Sequence, residues 1–258
     1  MEPTVNPLNL EEVCQYVNEN IDTFHASRLR KLSEYSLSDL ITKNPYLLKA
    51  KNVTKASELI EGALSAKLSS SEEELFGQFL EGLAIFVIEK TTGGHKSGTK
   101  GIDLEFDHEG WHYFVSVKSG TNWGNDSQQT RQETDFATAL KVFKQLKGQR
   151  VQADAILGIC YGKTRTNRIR GALKIVGQNF WTFISGNQDL YKQIVEPIGY
   201  RAKEHNDAYN QAAGNIINLL TGQFIERFCN PVNGEVNWEL LLETTCGNFD
   251  LNNHGFNF

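Results

Sequence analysis

Apolar positions recur at helical spacing in three short stretches near the start of the chain, at about 9–20, 24–34 and 54–67. The spacing sharpens after Ser71-x-x-Glu74, a pattern suited to a capping box. Leu75, Phe79, Leu83 and Val87, with Phe76 and Leu80 beside them, then predict a helix over 71–90 that stops before Gly93-Gly94. Beyond it the residue types change. Gly101–Asp107 and Trp111–Lys118 are β-branched or aromatic runs joined by Asp107-His108-Glu109-Gly110, which is turn chemistry and predicts a β-hairpin. A Gly- and Asn-rich loop over Ser119–Asp126 leads to a helical pattern at 128–147, with Phe136, Leu140, Phe143 and Leu146 on one face. Ala153–Tyr161 is an apolar run of buried-strand type, and Ala172–Val176 and Phe180–Ile184 read as two more strands. Leu190–Ile198 and 203–228 read as helices.

This order predicts an α/β body, a mixed central sheet flanked by helices. The first 70 residues form a helical N-terminal subdomain, 71–246 the main body, and 247–258 a polar tail. The length of 258 residues suits one or two domains. Hydrophobic residues at 40% and charged residues at 22% indicate a packed body. The longest apolar run, Phe79–Ile88, is interrupted by Glu81 and Gly82 and is too short to span a membrane. Met1 leads into acidic sequence rather than a cationic start and an apolar run, which argues against a secretory signal. Cys14, Cys160, Cys229 and Cys246 lie far apart, as reduced thiols of a cytoplasmic protein would. The six histidines show no paired-ligand spacing.

The net charge of −5 argues against a purely electrostatic nucleic-acid binder, but the charge is uneven. No acid lies between Asp154 and Asp189, where Lys163, Arg165, Arg168, Arg170 and Lys174 cluster. Such a cluster is either a solvated face or a groove for a polyanion. On the predicted hairpin, Ser116 and Lys118 share one strand face with Val117 behind them, and Asp103 and Glu105 share a face of the preceding strand. If Asp103 pairs near Lys118, a carboxylate and an ammonium meet. That pair is either an ordinary cross-strand ion pair or the start of a phosphodiester-hydrolysing site. The second use needs a cation-holding carboxylate and a lysine to neutralise the extra charge of the transition state and activate water. Oxygen ligands favour Mg²⁺, with Mn²⁺ as the alternative.

Asp103, fourteen intervening residues, then Lys118 within Ser116-Val117-Lys118-Ser119-Gly120 resembles the PD-(D/E)XK nuclease superfamily. More narrowly it resembles type II restriction endonucleases in which Ser replaces the acid of the E-x-K element. The loop Ser119–Asn125 and the stretch Gly177–Gly186 with Leu190-Tyr191 are similar to restriction endonucleases too, so that the likeness runs over about 72–247. Ile102 stands where the family has proline. The resemblance implies a restriction-endonuclease-like fold and a homodimer acting on double-stranded DNA, yielding a 5′-phosphate and a 3′-hydroxyl. It implies Asp103 as metal ligand with the Val117 carbonyl, Lys118 as the catalytic lysine, and Ser116 in the vacant acid position. It also implies a displaced acid. Glu133, fifteen residues beyond Lys118, stands on the following helix, Glu81 on the preceding one, and Glu105 is a third choice. Lys96, Asn122, Trp123, Asn125 and Gln128 near the site, and Arg165, Arg168 and Arg170 further off, are the expected DNA contacts. The competing expectations are a repair or recombination nuclease without sequence preference, and a DNA- or protein-binding module that has lost catalysis.

Overall fold

The computed structural model describes residues 6–254. Met1 and Glu2 at the start, and the last four residues of the expected polar tail, lie outside the described residues. The helices are α1 (Leu10–Glu34), α2 (Leu37–Ile41), α3 (Pro45–Ala50), α4 (Ala56–Thr91), α5 (Asp126–Lys147), α6 (Gln178–Ser185), α7 (Leu190–Gln193), α8 (Val195–Ile198), α9 (Ala202–Phe228) and α10 (Trp238–Cys246). The strands are β1 (His95–Lys96), β2 (Leu104–His108), β3 (Trp111–Lys118), β4 (Gln152–Ile159), β5 (Arg165–Ile169) and β6 (Ala172–Val176).

The chain divides into two compact units. One holds the residues up to Phe24 with Glu74–Ala202, and the other holds His25–Glu73 with the residues from Lys203 onward. The partition differs from the division at residue 70 expected from the sequence. The early helices do not stand alone: Leu32, Leu40, Leu59, Ile60 and Leu64 share one apolar core with Leu220, Phe224 and Phe228 of α9. Two of the partition's three boundaries fall inside the long helices α1 and α4, and the third at the start of α9. Residues 203–246 therefore belong with the early helices and not with the sheet.

The sheet unit has six strands in the order β1-β2-β3-β4-β6-β5. The central pairs β3–β4 and β4–β6 are parallel and the outer pairs antiparallel. β2 and β3 meet through Glu109 and Gly110, both at positive φ (50° and 78°), the two-residue turn that matches strand twist. On one face of the sheet, Val115, Val117, Ile156 and Ile175 pack against Leu83, Val87 and Ile88 of α4 and Phe180 and Trp181 of α6. On the other, Phe114, Ala155, Leu157 and Ile159 pack against Phe136 and Ala139 of α5. Each fully buried Leu, Ile or Phe in these layers contributes about 1.5–3 kcal/mol.

Four local expectations change. Ser71 does not start a helix: α4 runs through it, and its hydroxyl donates to the Leu68 carbonyl at 2.9 Å. No Gly-Pro break separates the two apolar stripes, so they merge into one helix, as do the two expected in α1. The expected strand Phe180–Ile184 is helical. Gly177 (φ 62°) admits the chain and Gly186 (φ 70°) caps it in the left-handed region, while Phe180, Trp181 and Ile184 share one buried helical face. A Cβ at Gly158 of β4 would collide with the Phe180 ring, so this helix packs directly on strand backbone. Finally, the basic stretch at 165–169, for which the sequence pattern predicts no element, is an edge strand. Arg170 (φ 47°) and Gly171 (φ 78°) close a tight turn that pairs it with β6. Among the described residues, no helix is long and apolar enough to cross a membrane.

Candidate active site

Register sets the geometry. Leu104 pairs with Val115, and just before the strand the N–H of Asp103 donates to the Val115 carbonyl at 2.9 Å. Asp103 is thereby brought beside Ser116 and Val117. Its Oδ2 accepts from the Val117 N–H at 2.6 Å and lies 3.5 Å from Nζ of Lys118. Among the described residues Oδ1 has no hydrogen-bond partner. Lys118 also donates to the carbonyl of Val117 at 2.9 Å, and its ammonium stands 5.5 Å from the centre of the Trp123 ring. Alternation along β3 buries Val117 in the α4 layer and turns Ser116, fully buried, towards α5.

Glu81 projects from α4. Its carboxyl is pushed above the usual range by burial and by the negative charge of Asp103, against a partial pull downward by Lys96 and Lys118. Lys96 forms an ion pair with it at 3.8 Å. Glu81 thus shares the electrostatic environment of the Asp103–Lys118 pair, where burial and a second carboxylate both disfavour its charged form. Such a place suits a divalent cation.

The other acids go elsewhere. Glu133 lies 3.7 Å from Arg170, whose guanidinium also reaches Asp126 at 2.6 Å and the Thr130 hydroxyl. Glu105 accepts hydrogen bonds from Ser97, Thr99 and His112. On α5 the side chain that meets the strand pair is Gln132. Its Oε1 lies 2.9 Å from Oγ of Ser116, and its Nε2 donates to the Gly101 carbonyl at 2.8 Å. Sequence reasoning passed over Gln132 because it searched for an acid. Successive residues of a helix point about 100° apart, so a shift of one position exchanges Gln132 for Glu133.

The expected DNA contacts divide likewise. Asn125 and Gln128 cap α5 reciprocally: the side chain of each accepts from the other's backbone N–H, at 3.0 and 2.8 Å. Trp123 packs on the α5-side core. Arg168 forks onto Asp154 at 2.6 and 3.0 Å, and that hydrogen bonding holds its guanidinium above its usual range. Arg165 and Asn122 are exposed and have no side-chain ion pair or hydrogen bond among the described residues.

The oxygens that could be offered to a cation here are hard ones: the Asp103 and Glu81 carboxylates and the Val117 carbonyl. No cluster of three or more His, Cys, Asp or Glu side chains suited to a metal is present among the described residues. The set fits a weakly held Mg²⁺ or Mn²⁺ better than zinc, which wants nitrogen or sulfur.

In comparisons with known proteins, the family model for type II restriction endonuclease EcoO109I matches residues 11–206. No curated protein matches the chain.

Proposed function

Because the chain belongs to the type II restriction endonuclease EcoO109I family, a family of phosphodiester hydrolases, we propose that it cuts double-stranded DNA at a defined sequence with the help of Mg²⁺. The observation behind this reading is the meeting of Asp103 and Lys118 at 3.5 Å, with Glu81 close enough to feel both charges.

Asp103, Glu81 and the Val117 carbonyl would hold the ion, which supplies Lewis-acid charge at the scissile phosphate. Lys118 orients the attacking water and offsets the negative charge that grows on the phosphoryl oxygens. Its own position is fixed by the Val117 carbonyl and Asp103. Water adds to phosphorus as the bond to the 3′-oxygen breaks, leaving a 5′-phosphate and a 3′-hydroxyl. Ser116, fully buried, carries no charge into the centre and instead spaces Asp103 from α5. A palindromic target would match a homodimer, because two-fold symmetry in protein and DNA coincide.

One observation favours a second reading. The helix position facing Ser116 is an amide rather than an acid, which suits a binding module that no longer cuts. Incubating the protein with mixed-sequence plasmid DNA and Mg²⁺, then mapping the ends, separates these readings. Discrete bands with 5′-phosphates are expected, and Lys118→Ala should lower the rate by about 10²–10⁴-fold while DNA binding persists. A smear would replace sequence specificity with general nuclease activity. Binding without cutting, at any protein concentration, would establish the module instead.

A further inference from the structure

Three oxygens, Oγ of Ser116, Oδ2 of Asp103 and Oε1 of Gln132, stand within hydrogen-bond reach in a chain of 3.0 and 2.9 Å contacts. Only the Ser116 hydroxyl has a hydrogen to share between its two neighbours. The orientation of the Gln132 amide is settled by its other end: Nε2 must face the Gly101 carbonyl at 2.8 Å, so Oε1 must face Ser116. Gly101 in turn lies two residues before Asp103, at φ 76°. One side chain on α5 thereby ties together the segment leading into Asp103 and the buried hydroxyl beside it.

We propose that Gln132 is a positioning residue that sets the metal affinity of the Asp103 centre. It holds the segment leading into Asp103 through the Gly101 carbonyl, it shares with Asp103 the single hydrogen of the Ser116 hydroxyl, and it fills with a neutral amide the position from which α5 could add a carboxylate. The inference rests on the nuclease reading given above. Two further features support it. The adjacent acid, Glu133, is engaged by Arg170, and Asp135, three residues beyond Gln132, packs against Gly101 within 4.0 Å of Arg131, so Gln132 is the α5 side chain that meets Ser116. Gln132 is also only partly buried and borders a small pocket with Trp123, Phe136 and Arg170, which leaves room for the isosteric acid. With two carboxylates instead of three, the site holds a hard cation weakly, because ligand charge count tunes affinity. The amide has a structural advantage in exchange: it satisfies the Gly101 carbonyl, which a carboxylate would repel.

The test is Mn²⁺ binding to the full chain, followed by electron paramagnetic resonance of the free ion, with thermal melts in EDTA as a folding check. Four proteins are compared: wild type, Asp103→Ala, Gln132→Glu and Gln132→Leu. Gln132→Glu should melt lower in EDTA, bind Mn²⁺ about tenfold more tightly, and regain more stability than wild type when Mn²⁺ is added. Gln132→Leu keeps the bulk but loses both hydrogen bonds, and should weaken Mn²⁺ binding about 10–100-fold, as loss of an outer-shell partner does. A purely structural role for Gln132 gives no reason for any variant to bind more tightly. If Gln132→Glu fails to tighten binding while Asp103→Ala abolishes it, the inference is overturned and the nuclease reading stands. If Asp103→Ala binds Mn²⁺ as wild type does, both fall.

Discussion

The backbone N–H of Val117 donates to Oδ2 of Asp103 at 2.6 Å, so one aspartate oxygen is held by the strand and the other is left without a hydrogen-bond partner among the described residues. That asymmetry separates two jobs within one side chain. Oδ2 fixes orientation, and Oδ1 is available to a cation. Asp103→Asn keeps an oxygen that can accept from Val117, and removes the charge. The variant should melt within about 1 kcal/mol of wild type, the worth of an ordinary hydrogen bond. Its cleavage rate should fall by about 10³-fold, the equivalent of several kcal/mol of charge stabilisation. Parallel melts and single-turnover cleavage check this; a variant that cuts at the wild-type rate would remove Asp103 from the chemistry.

Glu81 links the site to pH. Burial and the Asp103 charge raise its carboxyl above the ordinary range, so the folded protein holds this proton more tightly than the unfolded chain does. Its contribution to stability is therefore most favourable below roughly pH 4.3, the unperturbed value. It is lost as the pH rises through the raised folded value. Glu81→Gln abolishes that penalty. In EDTA at pH 7 the variant should melt above wild type, and the gap should close towards pH 4. Adding Mg²⁺ should reverse the order, because a ligand that binds only the folded state stabilises it, and the amide binds the ion poorly. Melts across pH with and without Mg²⁺ give the answer. A variant that melts below wild type at pH 7 in EDTA would show that the Lys96 pair outweighs the repulsion.

The hairpin, α5 and the central strand β4 were legible in the sequence because each shows one clear period. The meeting of Asp103 with Lys118 was only a condition there, because the stretch Asp107–Gly110 does not itself say which two residues turn and so leaves the register open; the positive φ of Glu109 and Gly110 sets it. Phe180–Ile184 was misread because five apolar residues suit a strand or a buried helix equally. The outcome was decided by positive φ at Gly177 and Gly186 and by the bare backbone of Gly158. Edge strand β5 escaped notice because polar residues mask its alternation. On α5, the resemblance pointed to Glu133, and only the phase of the helix, set by the Asn125 cap and the packing of Phe136, brings Gln132 to Ser116. The division at residue 70 could not anticipate that α9, far along the chain, completes the core of the early helices.

The basic residues of β5 and its turn are not equivalent, and DNA binding should separate them. Arg168 is half-exposed, yet its guanidinium reaches from the edge hairpin to Asp154 on β4 through two short contacts. It fastens the edge strand to the centre of the sheet. Arg168→Ala should cost about 1 kcal/mol, since the arginine is half-exposed, and leave the salt dependence of DNA binding unchanged. Arg165 has no carboxylate partner among the described residues, and Lys163 beside it is exposed. A cation with no internal partner is available to a phosphate. Arg165→Ala should weaken binding uniformly across sequences and reduce the slope of log K against log salt by about one, without lowering the melting temperature. Fluorescence anisotropy at several salt concentrations measures both slopes. If Arg168→Ala lowers the slope instead, Asp154 must release its arginine to DNA; if neither variant changes it, the β5 edge lies outside the DNA footprint.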